Sequence, residues 1–387
     1  MAEGAVTVVI AAAAGVLYLA LLAFKATLSL YYARRFPRPR ADADLSTATI
    51  VQPILGGDPD LGAALADNLA SLPEARFLWM VDESDVVGQE VTATLVRTHP
   101  DHRIERCLCV DPPPGINPKL FKLERARHMV SDGAFVVVDD DTRVTRVGIA
   151  ALLAGLAHDT ITTGLPCYLD RGDLPSRLVA QFVNNNAALT YLPMLVFAPP
   201  PTINGMTYAS AASTLSSIGG FAPLLRHVAD DLAVAERVRG TGGTIQQTPF
   251  PQFVATSVLD WGHYWRLMHR WFVFATLLVR RQTSAYALLI GVLHGVPPAL
   301  LWMLVISALV APGVQTLAML VSVLAARAAT LLLVQRAITG RSRHAVVVSI
   351  AAELLQPVHM IHALCSSRIR WRSRHYTIRA HDDFGTV

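Results

Sequence analysis

The sequence predicts an α/β domain, built on a doubly wound and mostly parallel sheet, held between transmembrane helices near both ends of the chain. Three observations carry that prediction. Apolar, charge-free runs lie near each terminus, strand and helix patterns alternate through the middle, and acidic residues cluster where short apolar strands end. Composition agrees with it. Of 387 residues, 52% are hydrophobic and only 16% charged, against roughly 25% charged in an average soluble domain. Mean hydropathy is +0.40. That balance rules out a disordered chain and speaks against a wholly soluble one, while the length leaves room for one large domain or two ordinary ones. A net charge of +4 is too small an excess to imply nucleic acid as a partner.

The membrane elements come first in chain order. From Ala5 to Phe24 there is no charge, and the apolar character runs past Lys25 to Tyr32. About 20 helical residues cross the roughly 30 Å hydrocarbon core, so residues 1–33 read as an N-terminal anchor. Arg34, Arg35, Arg38 and Arg40 follow it, the wrong flank for a cleaved signal peptide. By the positive-inside rule its C-terminal side is cytoplasmic. Two further spans are expected within 284–334: Ala285–Ala311, kinked at Pro297-Pro298, and Val314–Val334, with Arg327 near its inner end. The apolar stretch Ala345–Cys365 contains Glu353, Gln356, Pro357, His359 and His362 and has basic flanks on both sides. A full crossing would break the charge rule, so 345–387 reads as a re-entrant or interfacial segment with a basic tail.

Residues 40–281 have ordinary globular character and form the expected cytosolic domain. Cys107, Cys109, Cys167 and Cys365 show no C-x-x-C spacing, which fits a reducing compartment and supports neither a zinc site nor a disulfide framework. Strands are expected at Thr47–Pro53, Phe77–Val81, Ile104–Val110 and Ala134–Val138. Helices are expected at Leu61–Leu72, Gln89–Thr98 and Lys119–Val130, with Pro112–Gly115 forcing a loop. Such alternation implies a parallel sheet, whose ligands bind beyond the carboxyl ends of the strands.

The acidic clusters fall at those ends. Asp139-Asp140-Asp141 follows a buried strand. Alternation puts Asp139 and Asp141 on one side and Asp140 on the other. Two carboxylates so spaced can hold one hard divalent cation, or they can be a solvated acidic turn. Asp82-Glu83-Ser84-Asp85 ends another strand. Asp230-Asp231 precedes a helical run, where acids also serve as caps and dipole partners. Arg270-Trp271, near Trp261, Trp265 and Arg266, reads alone as an aromatic and basic belt ahead of a membrane span.

The ordered set is more specific than its parts. Anchor, strand-end acid, Asp-x-Asp, later Asp pair and Arg-Trp followed by spans resembles the family 2-type (GT-A) glycosyltransferases. Within them the chain resembles the ceramide glucosyltransferase branch, family 21. The likeness is carried by Gly115-Ile116-Asn117-Pro118-Lys119, Gly56-Gly57-Asp58-Pro59 and Asp139-Asp140-Asp141-Thr142-Arg143-Val144. Ser217-Ile218-Gly219-Gly220-Phe221, Ala229-Asp230-Asp231 and the tail Arg370–Tyr376 add to it. It covers essentially the whole chain. Two motifs depart from the pattern. Glu83 replaces the second acid of the usual Asp-Asp-x-x-Asp, leaving Asp82 and Glu83 both candidates. Leu267 stands three residues before Arg270 where the family has Gln or Arg, with Arg266 one position away.

The resemblance implies a GT-A fold and transfer of a sugar from a UDP-sugar donor to a membrane lipid hydroxyl. Ceramide is the favoured acceptor and glucose the favoured sugar. It implies Mg²⁺ or Mn²⁺ on Asp139 and Asp141, and Asp231 as general base. Asp82 or Glu83 would meet the nucleoside, and Lys119 and Arg270 the diphosphate, with Asp140, Asp230, Arg266 and Trp271 completing the donor site. Leu178-Val179, Phe182, Leu189, Leu192 and Leu195–Phe197 could form an interfacial apolar face or a plain core helix. Rival readings are a hopanoid, diacylglycerol or polyprenyl phosphate acceptor and, from another class, a non-catalytic scaffold or transporter. The implied location is an integral membrane protein with a cytoplasmic catalytic domain, in the inner membrane if bacterial.

Overall fold

The computed structural model describes residues 2–40, 42–255, 257–340, 344–371, 374–378 and 384–386. Arg341, Arg343, Arg372, Ser373 and Arg379, part of the expected basic flanks and tail, lie outside the described residues. Helix α1 (Ala2–Arg35) leads into β1 (Ala48–Ile54), α2 (Leu61–Ser71), β2 (Arg76–Asp82), α3 (Val86–Thr98), β3 (Arg103–Cys109), α4 (Pro118–Arg127) and β4 (Ala134–Val138). Each expected strand and helix of this half is present, with ends shifted by at most three residues. Then come β5 (Thr142–Arg143), α5 (Arg146–Ala154), β6 (Thr160–Tyr168), α6 (Leu174–Met194), β7 (Thr207–Ala211), α7 (Ala212–Ser217), α8 (Asp230–Gly240), β8 (Thr244–Val254) and α9 (Trp261–Arg280).

These strands form one sheet in the order β3-β2-β1-β4-β7-β6-β8-β5. All run the same way except β7 and the two-residue β5, which pair antiparallel. Both faces are covered, and the cores on them read as alternate residues of the same strands. Val51, Leu78, Met80, Phe135 and Val137 pack against α4, α7 and α8. Ile50, Phe77, Trp79, Val136 and Val138 pack against α2 and α5. Period-two alternation with both faces apolar is what a doubly wound sheet requires. The order reverses between β1 and β4, which opens a crevice beyond their carboxyl ends.

The remaining helices are α10 (Ser284–Ile290), α11 (Val296–Val310), α12 (Val314–Thr339), α13 (Val346–Leu354) and α14 (Gln356–Cys365). Among the described residues four stretches are long and apolar enough to cross a membrane: Gly4–Arg35, Ser284–Val310, Val314–Thr339 and Val346–Cys365. At Pro297-Pro298, where a kink was expected, the helical stretch Ser284–Val310 changes its winding. A π-helical turn over Gly291–Gly295 precedes those prolines and absorbs the misfit between α10 and α11. The fourth stretch is long enough to span, yet it breaks at Leu355 into α13 and α14. Helix α1 buries a stripe of Ala11, Ala14, Tyr18, Leu22, Lys25 and Ser29. A Cβ on Gly15 would stand 3.1 Å from Val323 of α12, so that glycine permits the helices' close approach. Gly4 and Val8 line one cavity with the turn Ala311–Val314, placing the start of α1 beside the α11–α12 turn. The tail is not a free basic arm. It forms β9 (Arg368–Trp371), β10 (Arg374–Ile378) and β11 (Phe384–Thr386), an antiparallel sheet. Ile369, Tyr376 and Ile378 are buried in the same core as α9.

Asn117 shows how local chemistry fixes the site-bearing helix. Its Oδ1 accepts from the N–H groups of Lys119 (2.9 Å) and Leu120 (3.3 Å), capping α4, with Pro118 at the first turn. Its Nδ2 donates to the carbonyls of His227 (2.9 Å) and Val228 (3.4 Å), just ahead of α8. Asn117→Ala removes both functions at once. It should cost about 1–2 kcal/mol, read as a lowered melting midpoint of the detergent-solubilised protein; an unchanged midpoint would contradict this account.

Candidate active site

Strand alternation decides which face each acid enters. Asp139 continues the face of Phe135 and Val137 and so turns toward α4 and α8, while Asp140 turns the other way. The contacts follow. Asp139 Oδ1 lies 2.7 Å from Lys119 Nζ, whereas Asp140 Oδ2 accepts from the Leu55 N–H at 2.7 Å. Leu55 follows β1, so Asp140 ties together the two loops that diverge at the switch point. Asp140 therefore braces the crevice.

Lys119 sits in the first turn of α4 and makes three contacts. Its Nζ lies 2.7 Å from Asp139 Oδ1 and 2.9 Å from Asp230 Oδ2, and it donates to the Gly205 carbonyl at 2.7 Å. The ammonium thus donates to one carbonyl and forms ion pairs with two carboxylates. One helical turn on, Lys122 performs the same task for the neighbouring strand. Its Nζ donates to Asp82 Oδ2 and to the Ile54 carbonyl, both at 2.7 Å. Asp82 is 7% exposed, and its Oδ1 is buried without a hydrogen-bond partner among the described residues. Glu83 is exposed on the following turn, where its backbone N–H donates to Cys109 and its carbonyl accepts from Gln89. Of the two candidate first acids, only Asp82 is buried beside α4. Asp85 holds the Gly56 loop, accepting from the N–H groups of Gly56 (2.6 Å) and Gly88 (2.9 Å).

Asp230 and Asp231 open α8, where the helix dipole favours acids. Asp231 Oδ1 accepts from the Leu232 N–H at 2.8 Å. A Cβ on Gly205 would stand 3.2 Å from Asp231 Cβ, so a glycine lets this loop approach closely. Burial and the adjacent Asp230 push the Asp231 carboxyl up to about 7, against the pull of the Leu232 N–H and Lys119. Burial also lifts Asp139 to about 6. Lys119 opposes that rise, and Asp141 and Asp230 add to it. For Lys119 burial works downward, but Asp139 and Asp230 outweigh it and hold the ammonium well above its ordinary value. Two tyrosines close the cluster, Tyr191 half-buried and Tyr208 buried. Burial and Asp231 push Tyr191 of α6 up to about 12. The hydroxyl of Tyr208 on β7 is buried with no hydrogen-bond partner among the described residues.

Helix α9 brings the Arg-Trp pair. Trp271 lies edge-on to Tyr168 at 5.7 Å and stacks on Phe182 at 6.2 Å. The Tyr168 hydroxyl reaches Met206 Sδ at 3.5 Å, and the Met206 carbonyl accepts from the Asp139 N–H at 2.9 Å. Trp271 is thus coupled to the acid cluster through the sheet, beyond any role as a membrane belt. Leu267 is buried in the core, while Arg266 lies one turn before Arg270 on the same helical face. His263 feels Arg266, Arg270 and the carboxylates of Asp260 and Asp58, which sets this basic face beside the loop after β1. Of the two readings of this apolar set, the plain core helix is the one observed: Leu178, Val179, Leu189 and Leu192 are buried, and only Val196 and Phe197 are strongly exposed. Those four apolar side chains pack into the core shared with the membrane helices. Lys122, Tyr191 and Tyr208 were missed in the sequence. Lys122 alone had a signal there, its i,i+3 spacing from Lys119.

Asp139 and Asp141 offer hard oxygen donors of the kind Mg²⁺ and Mn²⁺ take. Asp139 and Asp230 share the one ammonium of Lys119, so this group holds more negative than positive charge. Among the described residues no three acidic, histidine or cysteine side chains form a preformed cage. The residues therefore fit a cation that takes one or two carboxylates and completes its shell with phosphate oxygens and water.

An acid cluster at the switch point of a doubly wound sheet, joined to membrane helices, is the frame of a membrane-bound glycosyltransferase. The family model described as glycosyl transferase family 21 matches residues 6–383, and the chain belongs to that family. No curated protein matches it. Among solved structures, a mannosyltransferase from Pyrobaculum calidifontis in complex with GDP-mannose and Mn²⁺ is similar at 15% identity. It covers 89% of this chain and 99% of its own, with a TM-score of 0.48.

Lys119→Met should leave Asp139 and Asp230 facing each other uncompensated. Removing one partner of a buried pair costs roughly 3–5 kcal/mol. The loss should be largest near pH 8, where the acids are ionised, and should shrink near pH 5, below the raised value of Asp139. Melting curves of the variant and parent at both pH values check this; equal losses would show that Lys119 is not the counter-ion.

Proposed function

We propose that this enzyme transfers a sugar from a UDP-sugar to the hydroxyl of a membrane lipid with inversion at the anomeric carbon, glucose and ceramide being the favoured pair. The observation that carries this reading is Asp231. Its carboxyl is raised to about 7 beside an acid–lysine cluster at the sheet's switch point, and a general base works best when its pKa lies near the operating pH.

Asp231 takes the proton of the acceptor hydroxyl as that oxygen attacks the anomeric carbon, and the UDP departs from the opposite face. One displacement turns an α-linked donor into a β-linked product. With Oδ1 engaged by the Leu232 N–H, Oδ2 is the oxygen that faces the acceptor. Asp82 receives the nucleoside through Oδ1, whose missing partner an N–H or ribose hydroxyl would supply. Arg270, aided by Arg266, clamps the diphosphate, and Trp271 holds the loop over it. Asp139 and Asp141 would hold Mg²⁺ or Mn²⁺, whose contribution when bound is Lewis-acid stabilisation of a leaving diphosphate. Lys119 and Asp230 position the acids around that charge. The positive-inside rule supports a cytoplasmic catalytic domain, with α13 and α14 as a re-entrant segment packed among the membrane helices.

Asp231→Asn should lower kcat by roughly 10²–10⁴ while the Kd for UDP-sugar stays near the parental value. Parental turnover by the variant would remove the base assignment. The parental enzyme should lose kcat/KM as pH falls through about 7, because protonation of a raised carboxyl removes the base. A flat profile between pH 5 and 8 would contradict that. Excess EDTA should stop transfer, and Mg²⁺ or Mn²⁺ should restore it; mass spectrometry of extracted lipids, with ceramide and a panel of labelled UDP-sugars, reads both the metal requirement and the product.

A further inference from the structure

The helical bundle carries charges that sugar transfer leaves unused. Where α1, α6, α12 and α13 meet the π-helical turn before α11, a cavity of about 30 Å³ is lined by Tyr18, Lys25, Asn186, His294, Arg327 and Glu353 among others. Arg327 is 1% exposed, and each of its three nitrogens donates a hydrogen bond. Its Nε donates to Glu353 Oε2 (2.7 Å) and to the Tyr18 hydroxyl oxygen (3.1 Å), and its two terminal nitrogens donate to Ser349 Oγ (2.8 Å) and the Ser349 carbonyl (3.1 Å). The Tyr18 hydroxyl in turn lies 3.0 Å from both oxygens of Glu353. The single carboxylate is therefore taken.

Lys25 is 6% exposed, and among the described residues its ammonium makes neither a hydrogen bond nor an ion pair. Lys25 feels Glu353 at a distance, but that carboxylate is paired with Arg327, so two cations share one anion and a net positive charge remains in a bundle that crosses the membrane. Its depth is informative. The charge-free run from Gly4 to Phe24 is about 20 residues, roughly 30 Å of helix, the full thickness of the hydrocarbon core. Lys25 follows directly, at the boundary where lipid phosphates lie and on the end that carries the α/β domain. Ser29, one turn further, donates to the Ala188 carbonyl of α6, so the cavity abuts the catalytic domain.

The geometry points to a binding site for one anionic phospholipid, with a phosphate oxygen in the cavity paired to Lys25. The space admits one oxygen, so the rest of the headgroup stays at the mouth. Charge is what selects the occupant. A headgroup with no net charge, whether hydroxyls and an amide or a phosphate offset by its own choline, leaves the site's net positive charge standing, whereas a phosphate diester without a cation of its own cancels it. The site is separate from the acid cluster and takes a lipid that is not consumed.

The test is native mass spectrometry of the full chain in a neutral detergent, offered equal amounts of phosphatidylglycerol, phosphatidylcholine and ceramide. The parental protein should retain one phosphatidylglycerol over phosphatidylcholine by roughly tenfold, and Lys25→Met should bring the two to parity. Should that variant fail to give monodisperse protein, Lys25→Gln carries the same expectation, with Lys25→Arg keeping the preference. Parity in the parental protein, an undiminished preference in Lys25→Met, or ceramide retained over phosphatidylglycerol would overturn the proposal. Displacement of the lipid by inorganic phosphate would do so as well, since the site would then take a free anion.

Discussion

The site depends on one ammonium. Lys119 meets Asp139, the Gly205 carbonyl and Asp230, three groups that the chain delivers from the end of β4, the loop before β7 and the start of α8. Each of those groups is costly to bury alone, and the two acids repel each other. A single lysine makes their convergence affordable, and its charge is held above its ordinary range by the acids it joins. Because Lys119 stands in the first turn of α4, whatever sets the start of that helix also sets the site. Asn117 does so from two directions, capping α4 and gripping the chain ahead of α8. The acid cluster is therefore a property of the α4–α8 junction as much as of the strand ends.

That junction also explains what could be read in advance. The first four strands and three helices were legible because each is a short run with a clear period, bounded by Pro, Gly or acids. The split of Asp139 from Asp140 followed from alternation alone, and the contacts of both agree with it. The pairing of Lys119 with Asp139 and Asp230 was not legible, since nothing local relates position 119 to positions 139 and 230. Strands β5 to β8 were also missed. β6 carries threonines and a glycine between its apolar residues, and β8 carries glutamines and prolines, so neither shows a simple apolar run. Helix α6 was ambiguous for a different reason. A core helix and an interfacial one share the same apolar period, and only the neighbouring helices decide which it is. Here α1, α9 and α13 cover most of it.

Helix α6 then emerges as the wall shared by the sugar-transfer domain and the membrane bundle. On one side Asn184 exchanges two hydrogen bonds with the backbone of Tyr168, Phe182 stacks on Trp271, and Tyr191 lies in the field of Asp231. On the other side Asn185 donates to Ser349 of α13 and accepts from Gln335 of α12, and the Ala188 carbonyl takes the Ser29 hydroxyl of α1. The proposed base and the membrane helices are thus braced by the same 21-residue element. The position of the sugar-transfer domain relative to the helices is set by rigid packing and not by a linker.

The polar network inside the bundle has to be judged against what apolar side chains would do there. Buried ion pairs gain little net stability over well-packed apolar residues, because desolvation offsets the Coulomb attraction. Stability is therefore a poor explanation for Arg327, Glu353, Tyr18, Ser349, Asn185 and Gln335 joined in one chain of contacts. Orientation is a better one. Apolar helices slide and rotate against one another at little cost, since lipid tails solvate them as well as their neighbours do. A slip of one residue in α12 would leave the Arg327 guanidinium facing hydrocarbon. The network thus penalises every register but one, and through Asn185 that register is passed to α6. The bundle gives up stability to fix an angle, and the angle is what the acid cluster on the far side of α6 requires.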